Sequence, residues 1–353
     1  MSRMASDFAS ELQNTAQALI KPGKGILAMD ESTATSNRRF EPLGIPTTAA
    51  YRRAYRELIL TTPGLNEAIS GAILFDETIR QTSEAGVPFP QLMQQAGILI
   101  GIKLDAGAKD LAGFPDEKVT EGLDGLRERI AEYYQMGARF AKWRAVITIG
   151  NGLPTLTCLE ANAHALARYA ALCQAGGLVP IVEPEVLIDG DHSIERCYDV
   201  TDQTLQAVFR QLRLHRVALA QMILKPSMVI SGLACPTPAS VDQVAEQTIR
   251  CLRQTVPALV PGIAFLSGGQ TCEQATAHLN AMNAQYGHLC PWRVTFSYAR
   301  AIQQPALEQW RGNQANVAEA QQLLYRRAKL NAAASLGRYS PEMEQQPTLT
   351  GVT

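Results

Sequence analysis

The sequence predicts an α/β protein with a single (β/α)8 barrel, the TIM-barrel architecture. Eight short apolar runs recur along the chain, and amphipathic helical stretches separate most of them. Strands that alternate with helices indicate parallel strands joined by helical crossovers, and eight such units are the number that closes this barrel. An open doubly wound sheet is the alternative, but no Gly-x-Gly-x-x-Gly motif follows the first strand.

The eight predicted strands are runs of leucine and β-branched residues that glycine or proline bounds. They comprise residues 25–29, 71–75, 98–104, 139–148, 178–183, 222–225, 262–267 and 292–298. Apolar residues at helical spacing are clearest in residues 123–135, 158–174, 194–212 and 240–254. These boundaries assign residues 1–335 to the barrel, and the Pro-, Gln-, Thr- and Gly-rich residues 336–353 to a mobile C-terminal tail.

The composition excludes several classes of partner and site. Lys and Arg total 32 against 33 Asp and Glu, a balance that gives no reason to expect nucleic acid or an anionic membrane as partner. The seven cysteines show no Cys-x-x-Cys spacing, which argues against a disulfide framework or a structural zinc site. Residues 1–10 lack the apolar core of a signal peptide, and no run approaches the about 20 apolar residues of a membrane span. The sequence therefore predicts a cytoplasmic protein.

Charged residues concentrate where the predicted strands end, which is the end of a (β/α)8 barrel that carries the active site. Residues two apart on a strand share a face, and charged pairs that faced the apolar helix layer would be costly. We therefore expect the set to line the mouth of the barrel lumen. A salt-bridge network that merely plugs the barrel is the alternative, but a plug needs no surplus of cations. The set comprises the cations Lys103, Lys142, Arg144, Lys225 and Arg300 and the carboxylates Asp30, Asp105, Glu183 and Glu185.

A loop of small residues follows the seventh predicted strand. It reads Ser267-Gly268-Gly269-Gln270, and a helical pattern starts near Thr271. Small residues let backbone N–H groups approach an anion, and a helix N-terminus adds a favourable dipole. Barrels often bind phosphate after strands seven and eight, so we expect this loop and Arg300 to bind a phosphate group. Taken alone, the loop is more typical of an ordinary tight turn, and its position after the seventh strand is what favours a phosphate site.

Two lysines of the set suit covalent catalysis. A lysine amine is a nucleophile only when it is neutral, and burial or a nearby cation lowers its pKa from about 10.4. Lys225 and Lys142 face one predicted lumen, so we expect each to disfavour the charge of the other and Lys225 to form a Schiff base. Glu183, on the strand between them, is the candidate for proton transfer, and Asp30 is the candidate base for a substrate hydroxyl.

Metal-assisted stabilisation of a carbanion is the competing chemistry. It calls for imidazole ligands, but none of the five histidines lies at a predicted strand end and no two are at ligand spacing on a helix. The sequence therefore favours an enzyme with no metal or other cofactor, which makes and breaks a carbon–carbon bond in a sugar phosphate.

Five segments resemble class I fructose-1,6-bisphosphate aldolases. They are residues 25–32 (GILAMDES), 140–144 (FAKWR), 179–185 (VPIVEPE), 224–228 (LKPSM) and 265–270 (FLSGGQ). The resemblance implies a metal-free (β/α)8 aldolase, commonly a homotetramer, with a sugar bisphosphate as substrate. Such an enzyme reversibly cleaves fructose 1,6-bisphosphate to dihydroxyacetone phosphate and glyceraldehyde 3-phosphate through a lysine Schiff base.

The resemblance also implies roles for individual residues. It makes Lys225 the Schiff-base lysine, Glu183 the proton-transferring glutamate and Asp30 the base for the C4 hydroxyl, with Lys142 and Glu185 assisting. The residues that it assigns to one phosphate are Ser267, Gly268, Gly269, Ser297 and Arg300. Those that it assigns to the region of the other phosphate are Lys103, Arg144, Ser32, Thr35 and Arg39.

The chain departs from the family pattern at three places. The Asp-Lys-Gly that usually follows the third strand is Asp105-Ala106-Gly107, and Ala299 stands where some members have glycine. The chain ends in Gly351-Val352-Thr353, where members commonly end in a tyrosine that is thought to aid proton transfer at C3. Met29 and residues 296–300 resemble plastid and cyanobacterial members. This resemblance implies a role in carbon fixation as well as glycolysis, in the bacterial cytosol or as a mature plastid protein.

Two alternatives stay open on the sequence. One is another Schiff-base barrel enzyme, such as a transaldolase or an aldolase for sedoheptulose 1,7-bisphosphate or fructose 1-phosphate. Two separate clusters of cations favour a substrate with two phosphates over one with a single phosphate. The other alternative is a binding or scaffold role of the oligomer.

Overall fold

The structure, a computed structural model, describes residues 8–345. Within this range the chain forms the strands β1 (Gly25–Met29), β2 (Ile69–Leu74), β3 (Leu99–Lys103), β4 (Ala108–Asp110), β5 (Lys118–Thr120), β6 (Phe140–Ile147), β7 (Val179–Val186), β8 (Ile223–Leu224), β9 (Gly262–Phe265) and β10 (Arg293–Tyr298). Eight of them form a closed barrel in the order β1-β10-β9-β8-β7-β6-β3-β2, and every pairing in it is parallel. The predicted (β/α)8 barrel is confirmed.

Helices surround the barrel. In chain order they are α1 (Ala9–Leu19), α2 (Thr33–Phe40), α3 (Ala49–Leu60), α4 (Asp76–Ile79), α5 (Phe89–Gln95), α6 (Leu126–Gln135), α7 (Leu156–Ala175), α8 (Ile194–Leu214), α9 (Val241–Thr255), α10 (Cys272–Tyr286), α11 (Arg300–Trp310) and α12 (Val317–Ala334). Short 3-10 turns lie at Glu41–Leu43, Leu65–Glu67, Leu219–Gln221, Gly287–Leu289, Gln314–Asn316 and Pro341–Glu344. None of the helices in residues 8–345 has the length and hydropathy that a membrane span requires.

Several helices begin where the sequence places a serine or threonine. In each case the hydroxyl accepts a hydrogen bond from the backbone N–H three residues later, which pairs one of the free donors of the first turn. Such a cap contributes about 1 kcal/mol to stability. The capping residues are Ser32, Thr48, Thr155, Ser193, Ser240 and Thr271.

The predicted strands differ from the observed ones mainly at their ends. β7 continues to Val186, three residues beyond the prediction, whereas β8 contains only Ile223 and Leu224. The hairpin of β4 and β5 was not predicted, because its strands are three residues long and the first is fully exposed. Hydrophobic periodicity detects strands that bury one face, and this hairpin gives no such pattern.

The apolar residues separate into two layers around the strands. The larger core lies between the strands and the helices that cover them, as a closed parallel barrel requires. The smaller core fills the lumen with residues such as Ile26, Phe140 and Ile181, and α1 packs Leu12 and Leu19 against it. Since these side chains fill the lower lumen, only the carboxyl ends of the strands are left for polar groups.

The predicted C-terminal tail lies partly inside the described range. The 3-10 turn Pro341–Glu344 packs beside α12, where Arg327 Nη1 lies 2.6 Å from Glu344 Oε1. The hydroxyl of Tyr339 donates to the same oxygen at 3.1 Å. Residues 346–353 lie outside the described residues.

A close contact in the lumen generates the first prediction. A Cβ atom at Gly101 of β3 would lie 2.2 Å from Phe140 Cε2, and Phe140 is fully buried. We expect Gly101→Ala to destabilise the protein by about 1–3 kcal/mol, because the ring has no space to retreat. The measurement is the urea unfolding midpoint.

Gly287→Ala is the matched control for this substitution. Gly287 has a φ of −55°, and a Cβ atom there would meet no other atom within 4 Å. We expect its unfolding midpoint to match that of the wild type. Equal midpoints for both variants would contradict the steric argument.

Candidate active site

A cavity of about 410 Å³ opens at the carboxyl ends of the barrel strands. All of the site residues that the sequence predicted line it, with the exception of Gly269. Those that line it are Lys225, Glu183, Asp30, Lys142, Glu185, Lys103, Arg144, Ser267, Gly268, Ser297, Arg300, Ser32, Thr35 and Arg39. The structure therefore brings together residues that come from seven different barrel strands, from the segments that follow them, and from α2.

Gly269 lies beside the cavity rather than in its wall. It is exposed, with a φ of +81°, and a Cβ atom there would lie 2.9 Å from Ile188 Cγ2. Glycine at this position therefore lets the chain turn tightly between β9 and α10. The neighbouring Gly268, with a φ of +37°, does line the cavity.

The centre of the cavity is a chain of alternating charges. Lys142 Nζ lies 2.7 Å from Asp30 Oδ2 and 3.3 Å from Glu183 Oε2. Lys225 Nζ lies 3.1 Å from Glu183 Oε1, on the other side of the same carboxylate. The side chains of Lys142, Glu183 and Lys225 are at most 5% exposed. Water therefore does little to screen these ion pairs.

Asp30, Lys142 and Glu183 hold one another in their ionised forms. Burial raises the pKa of Asp30 and of Glu183, but the positive charges of Lys142 and Lys225 outweigh it, so both pKa values are lowered. Burial lowers the pKa of Lys142, but the negative charges of Asp30 and Glu183 outweigh it, so this pKa is raised. The prediction that the charge of Lys142 is disfavoured is therefore wrong, because two carboxylates lie within 3.3 Å of its ammonium group.

Two further ion pairs line the cavity beside this centre. Arg144 contacts Glu185, and Lys103 Nζ lies 3.3 Å from Asp105 Oδ1. Asp105 also accepts the backbone N–H of Arg144 at 3.2 Å and that of Gly107 at 3.1 Å. Asp105 thus joins the ends of β3 and β6, and it is a structural member of the site.

The predicted phosphate loop has the geometry of an anion site. Thr271 caps α10 with both hydrogen bonds of a capping box, so the loop of Ser267 and Gly268 leads directly into a helix N-terminus. Ser297 lies near the end of β10, the strand that pairs with β9, and is 1% exposed. Its hydroxyl nevertheless has no hydrogen-bond partner among residues 8–345. A buried hydroxyl without a partner is costly unless a ligand completes it. Arg300, the first residue of α11, is exposed at the rim.

The sequence analysis missed three polar residues of this region. Arg38 and Glu31 line the cavity, and Gln303 lies behind Arg39. Arg38 and Glu31 are sequence neighbours of predicted residues, which is a signal that could have found them. Gln303 gives no such signal, because a glutamine inside a helix is ordinary and its contacts are made across the fold.

A larger cavity of about 700 Å³ opens at the opposite end of the barrel, around Lys24 and Trp292. None of the predicted site residues lines it. The smaller cavity is the better candidate, because active sites of (β/α)8 barrels form at the carboxyl ends of the strands and because the buried charges are there.

The lowered pKa values generate a prediction about acid. The ionised Asp30 and Glu183 stabilise the folded protein at pH values above their ordinary pKa values of 3.8 and 4.5. This stabilisation is lost as the pH falls through their lower pKa values in the folded protein. We expect Glu183→Gln to cost about 1–3 kcal/mol at pH 7. The difference in unfolding free energy between the wild type and this variant should shrink as the pH falls from about 5 to about 3. The measurement is the urea midpoint of both proteins at each pH; parallel curves would contradict it.

Comparison with known proteins agrees with this geometry. The family model described as "Fructose-bisphosphate aldolase class-I" matches residues 11–351. The chain is 61% identical over 330 residues to a "Probable fructose-bisphosphate aldolase class 1" of Xanthomonas campestris pv. campestris, covering 93% of this chain and 98% of that protein. It is 50% identical over 338 residues to "Fructose-bisphosphate aldolase 1" of Toxoplasma gondii, covering 95% of this chain and 93% of that protein.

A solved structure is similar as well. It is a fructose-bisphosphate aldolase from Plasmodium falciparum, in a ternary complex with TRAP and a small-molecule inhibitor. It superposes with a TM-score of 0.93 at 48% sequence identity and covers 95% of this chain and 96% of its own. The chain therefore belongs to the class I fructose-bisphosphate aldolases, lyases that cleave fructose 1,6-bisphosphate reversibly to dihydroxyacetone phosphate and glyceraldehyde 3-phosphate through a lysine Schiff base.

Proposed function

We propose that Lys225 is the lysine that forms the Schiff base and that Glu183 moves the protons for it. The observation that carries this proposal is the 3.1 Å separation of Lys225 Nζ and Glu183 Oε1, with both side chains 4% exposed. A lysine amine attacks a carbonyl only after it has lost a proton. Glu183 is the acceptor within reach, since its lowered pKa keeps it a carboxylate.

The first half of the reaction then balances within this pair. Glu183 takes a proton from Lys225, and the neutral amine attacks C2 of the ketose to form a carbinolamine. The protonated Glu183 returns its proton to the C2 hydroxyl, which leaves as water. The iminium ion that remains carries one positive charge, and Glu183 is again a carboxylate.

The second half of the reaction uses Asp30 as the base. Asp30 takes the proton of the C4 hydroxyl, the C3–C4 bond breaks, and its electron pair moves toward the iminium nitrogen to give an enamine and the free aldehyde. One proton then returns to C3 of the enamine, and water hydrolyses the iminium ion by the reverse of the first half, which releases dihydroxyacetone phosphate. Lys142, 2.7 Å away, keeps Asp30 ionised, because its ammonium lowers the pKa of that carboxyl. Glu185, two residues further along β7, pairs with Arg144 and assists the proton steps.

The two phosphates of the substrate bind on opposite sides of this centre. The loop of Ser267 and Gly268 follows β9, next to the β8 end that carries Lys225, so this side takes the phosphate on C1. With it act Gly269, which shapes the turn, and the side chains of Ser297 and Arg300. The side near Asp30 takes the phosphate on C6. Its residues are Lys103, Arg144, Ser32, Thr35 and Arg39.

The proposal predicts where a trapped intermediate is attached. After incubation with dihydroxyacetone phosphate and borohydride, we expect peptide mass spectrometry to find one adduct, on Lys225. Lys225→Met should lose the adduct and at least about a thousandfold in kcat, because no other nucleophile replaces the amine. Lys21→Met, at an exposed lysine beside the opposite end of the barrel, should keep both. Full turnover by Lys225→Met would refute the assignment.

We infer that the enzyme needs no metal or other cofactor. The iminium nitrogen accepts the electron pair that a metal would otherwise stabilise. Within residues 8–345 no group of three or more His, Cys, Asp or Glu could hold a metal ion. The test measures turnover and the trapped adduct on a sample of the enzyme treated with chelator. Loss of turnover in that sample would contradict this inference.

We infer that the protein is a cytoplasmic homotetramer. The cytoplasmic location is supported by a relative from Arabidopsis thaliana, 49% identical, that is named as a cytosolic aldolase. Sedimentation equilibrium should give about four times the 38.4 kDa of one chain. A monomer or dimer at micromolar concentration would contradict the assembly.

A further inference from the structure

A buried histidine reaches back to the phosphate loop, which comprises residues 267–270. His278 lies on the second turn of α10 and is 4% exposed. Its Nδ1 lies 2.6 Å from Oε1 of Gln270, the last residue of the loop. Side chains of a helix lean toward its N-terminus, so the imidazole of His278 contacts the loop that leads into its own helix.

The surroundings of the Gln270 amide decide which atom of this contact donates. Burial lowers the pKa of His278 to about 4, so its imidazole is neutral at pH 7 and carries one ring proton. On its other side, Gln270 Nε2 lies 3.6 Å from Met228 Sδ. A thioether sulfur accepts a hydrogen bond but has no proton to donate. Gln270 Nε2 therefore donates to Met228, and Gln270 Oε1 accepts from Nδ1–H of His278.

The phosphate loop needs such an anchor because it contains two glycines. Gly268 and Gly269 have φ values of +37° and +81°, and glycine adopts many other conformations as readily. The backbone N–H of Gln270 donates to the oxygen of Ser267 at 3.0 Å and closes the turn. Because Gln270 is held at its side chain by α10, this hydrogen bond transmits the position of α10 to Ser267.

Both ends of the loop are also tied to the segment that follows Lys225. The backbone N–H of Leu266, just before the loop, donates to the oxygen of Pro226 at 3.2 Å. Gln270, at the other end, reaches Met228, and Pro226 and Met228 follow Lys225 closely in the chain. A ketose that reacts at C2 and carries a phosphate on C1 requires a fixed separation between the amine and the phosphate site.

We propose that His278 is a positioning residue that, through the Gln270 amide, holds the phosphate loop at the separation from Lys225 that a C1-phosphorylated ketose requires. The inference rests on the proposed place of the C1 phosphate at this loop. Without the donor of His278, Gln270 Oε1 loses its partner and the end of the loop is released. Binding through the phosphate then weakens, whereas the reaction of Lys225 with a ketone that lacks a phosphate is unaffected.

The test compares dihydroxyacetone phosphate with dihydroxyacetone, which has the same ketone and no phosphate. After a short, fixed time of trapping with borohydride, peptide mass spectrometry gives the concentration of each compound at which half of Lys225 carries the adduct. In His278→Leu we expect this concentration to rise about 3- to 10-fold for dihydroxyacetone phosphate, as for one lost buried hydrogen bond. For dihydroxyacetone it should change less than about twofold. An equal rise for both compounds would show a merely structural role and overturn the inference, and so would no rise for either.

His278→Asn is the matched control at the same position. The side chains of asparagine and leucine have nearly the same shape, so both variants lose the same part of the ring. Asparagine Nδ2 can still donate from about the place of the histidine Nδ1. We expect His278→Asn to stay within about twofold of the wild type for dihydroxyacetone phosphate. A rise as large as in His278→Leu would overturn the inference, because it would trace the effect to lost packing of the ring.

Gln270→Met keeps the inference testable if His278→Leu does not fold. Gln270 is half-buried in the loop, and methionine keeps an unbranched side chain of similar length. We expect the same selective rise of about 3- to 10-fold, and no further rise in the double variant with His278→Leu, because both changes remove one hydrogen bond. An unchanged concentration for dihydroxyacetone phosphate in Gln270→Met would overturn the inference.

Arg300→Met separates the inference from the proposed place of the C1 phosphate. We expect it to raise the concentration for dihydroxyacetone phosphate alone, by at least about tenfold, because it removes a cation from that side of the cavity. A rise in Arg300→Met without one in His278→Leu and Gln270→Met would overturn the role of His278 alone. No rise in Arg300→Met would overturn the proposed place of the C1 phosphate and, with it, the inference.

Discussion

The active site depends on the ion pairs that Lys142 makes with Asp30 and Glu183. A buried ammonium is costly by itself, and so is each buried carboxylate, but together they compensate one another. Because the pKa of Lys142 is raised and those of both carboxylates are lowered, all three stay ionised at neutral pH. The proposed bases of both halves of the reaction are thus held in their ionised forms.

The barrel makes this arrangement possible in two ways. The lower lumen is filled with apolar side chains and closed by α1, so the charges lie in a dry, weakly screening surrounding. Each strand delivers only one or two polar side chains, and the closure of the barrel brings strands together that are distant in the chain. β1 and β6 are not neighbours in the sheet, yet Asp30 and Lys142 meet across its mouth.

Hydrogen bonds around the cavity explain why a site that includes several loops holds a fixed shape. Ser32 caps α2, Asp105 joins β3 to β6, and Gln303 joins α11 to β1 and α2. Ser32 and Asp105 line the cavity themselves, Gln303 lies behind it, and all three hold other parts of the site in place.

The sequence by itself determined the eight strands, their alternation with helices, and the charged residues at their carboxyl ends. These features follow from local rules: residues two apart on a strand share a face, so Lys103 with Asp105 and Glu183 with Glu185 were predictable pairs of neighbours. Only the tertiary structure decided which charges meet. The partners of Lys142 come from two other strands, and this is why its pKa is raised where the sequence predicted the opposite. The same holds for Gln303, whose three contacts join residues more than 240 positions apart, and for the short exposed hairpin of β4 and β5. Distances across a closed barrel depend on the stagger of its strands, which local periodicity does not encode.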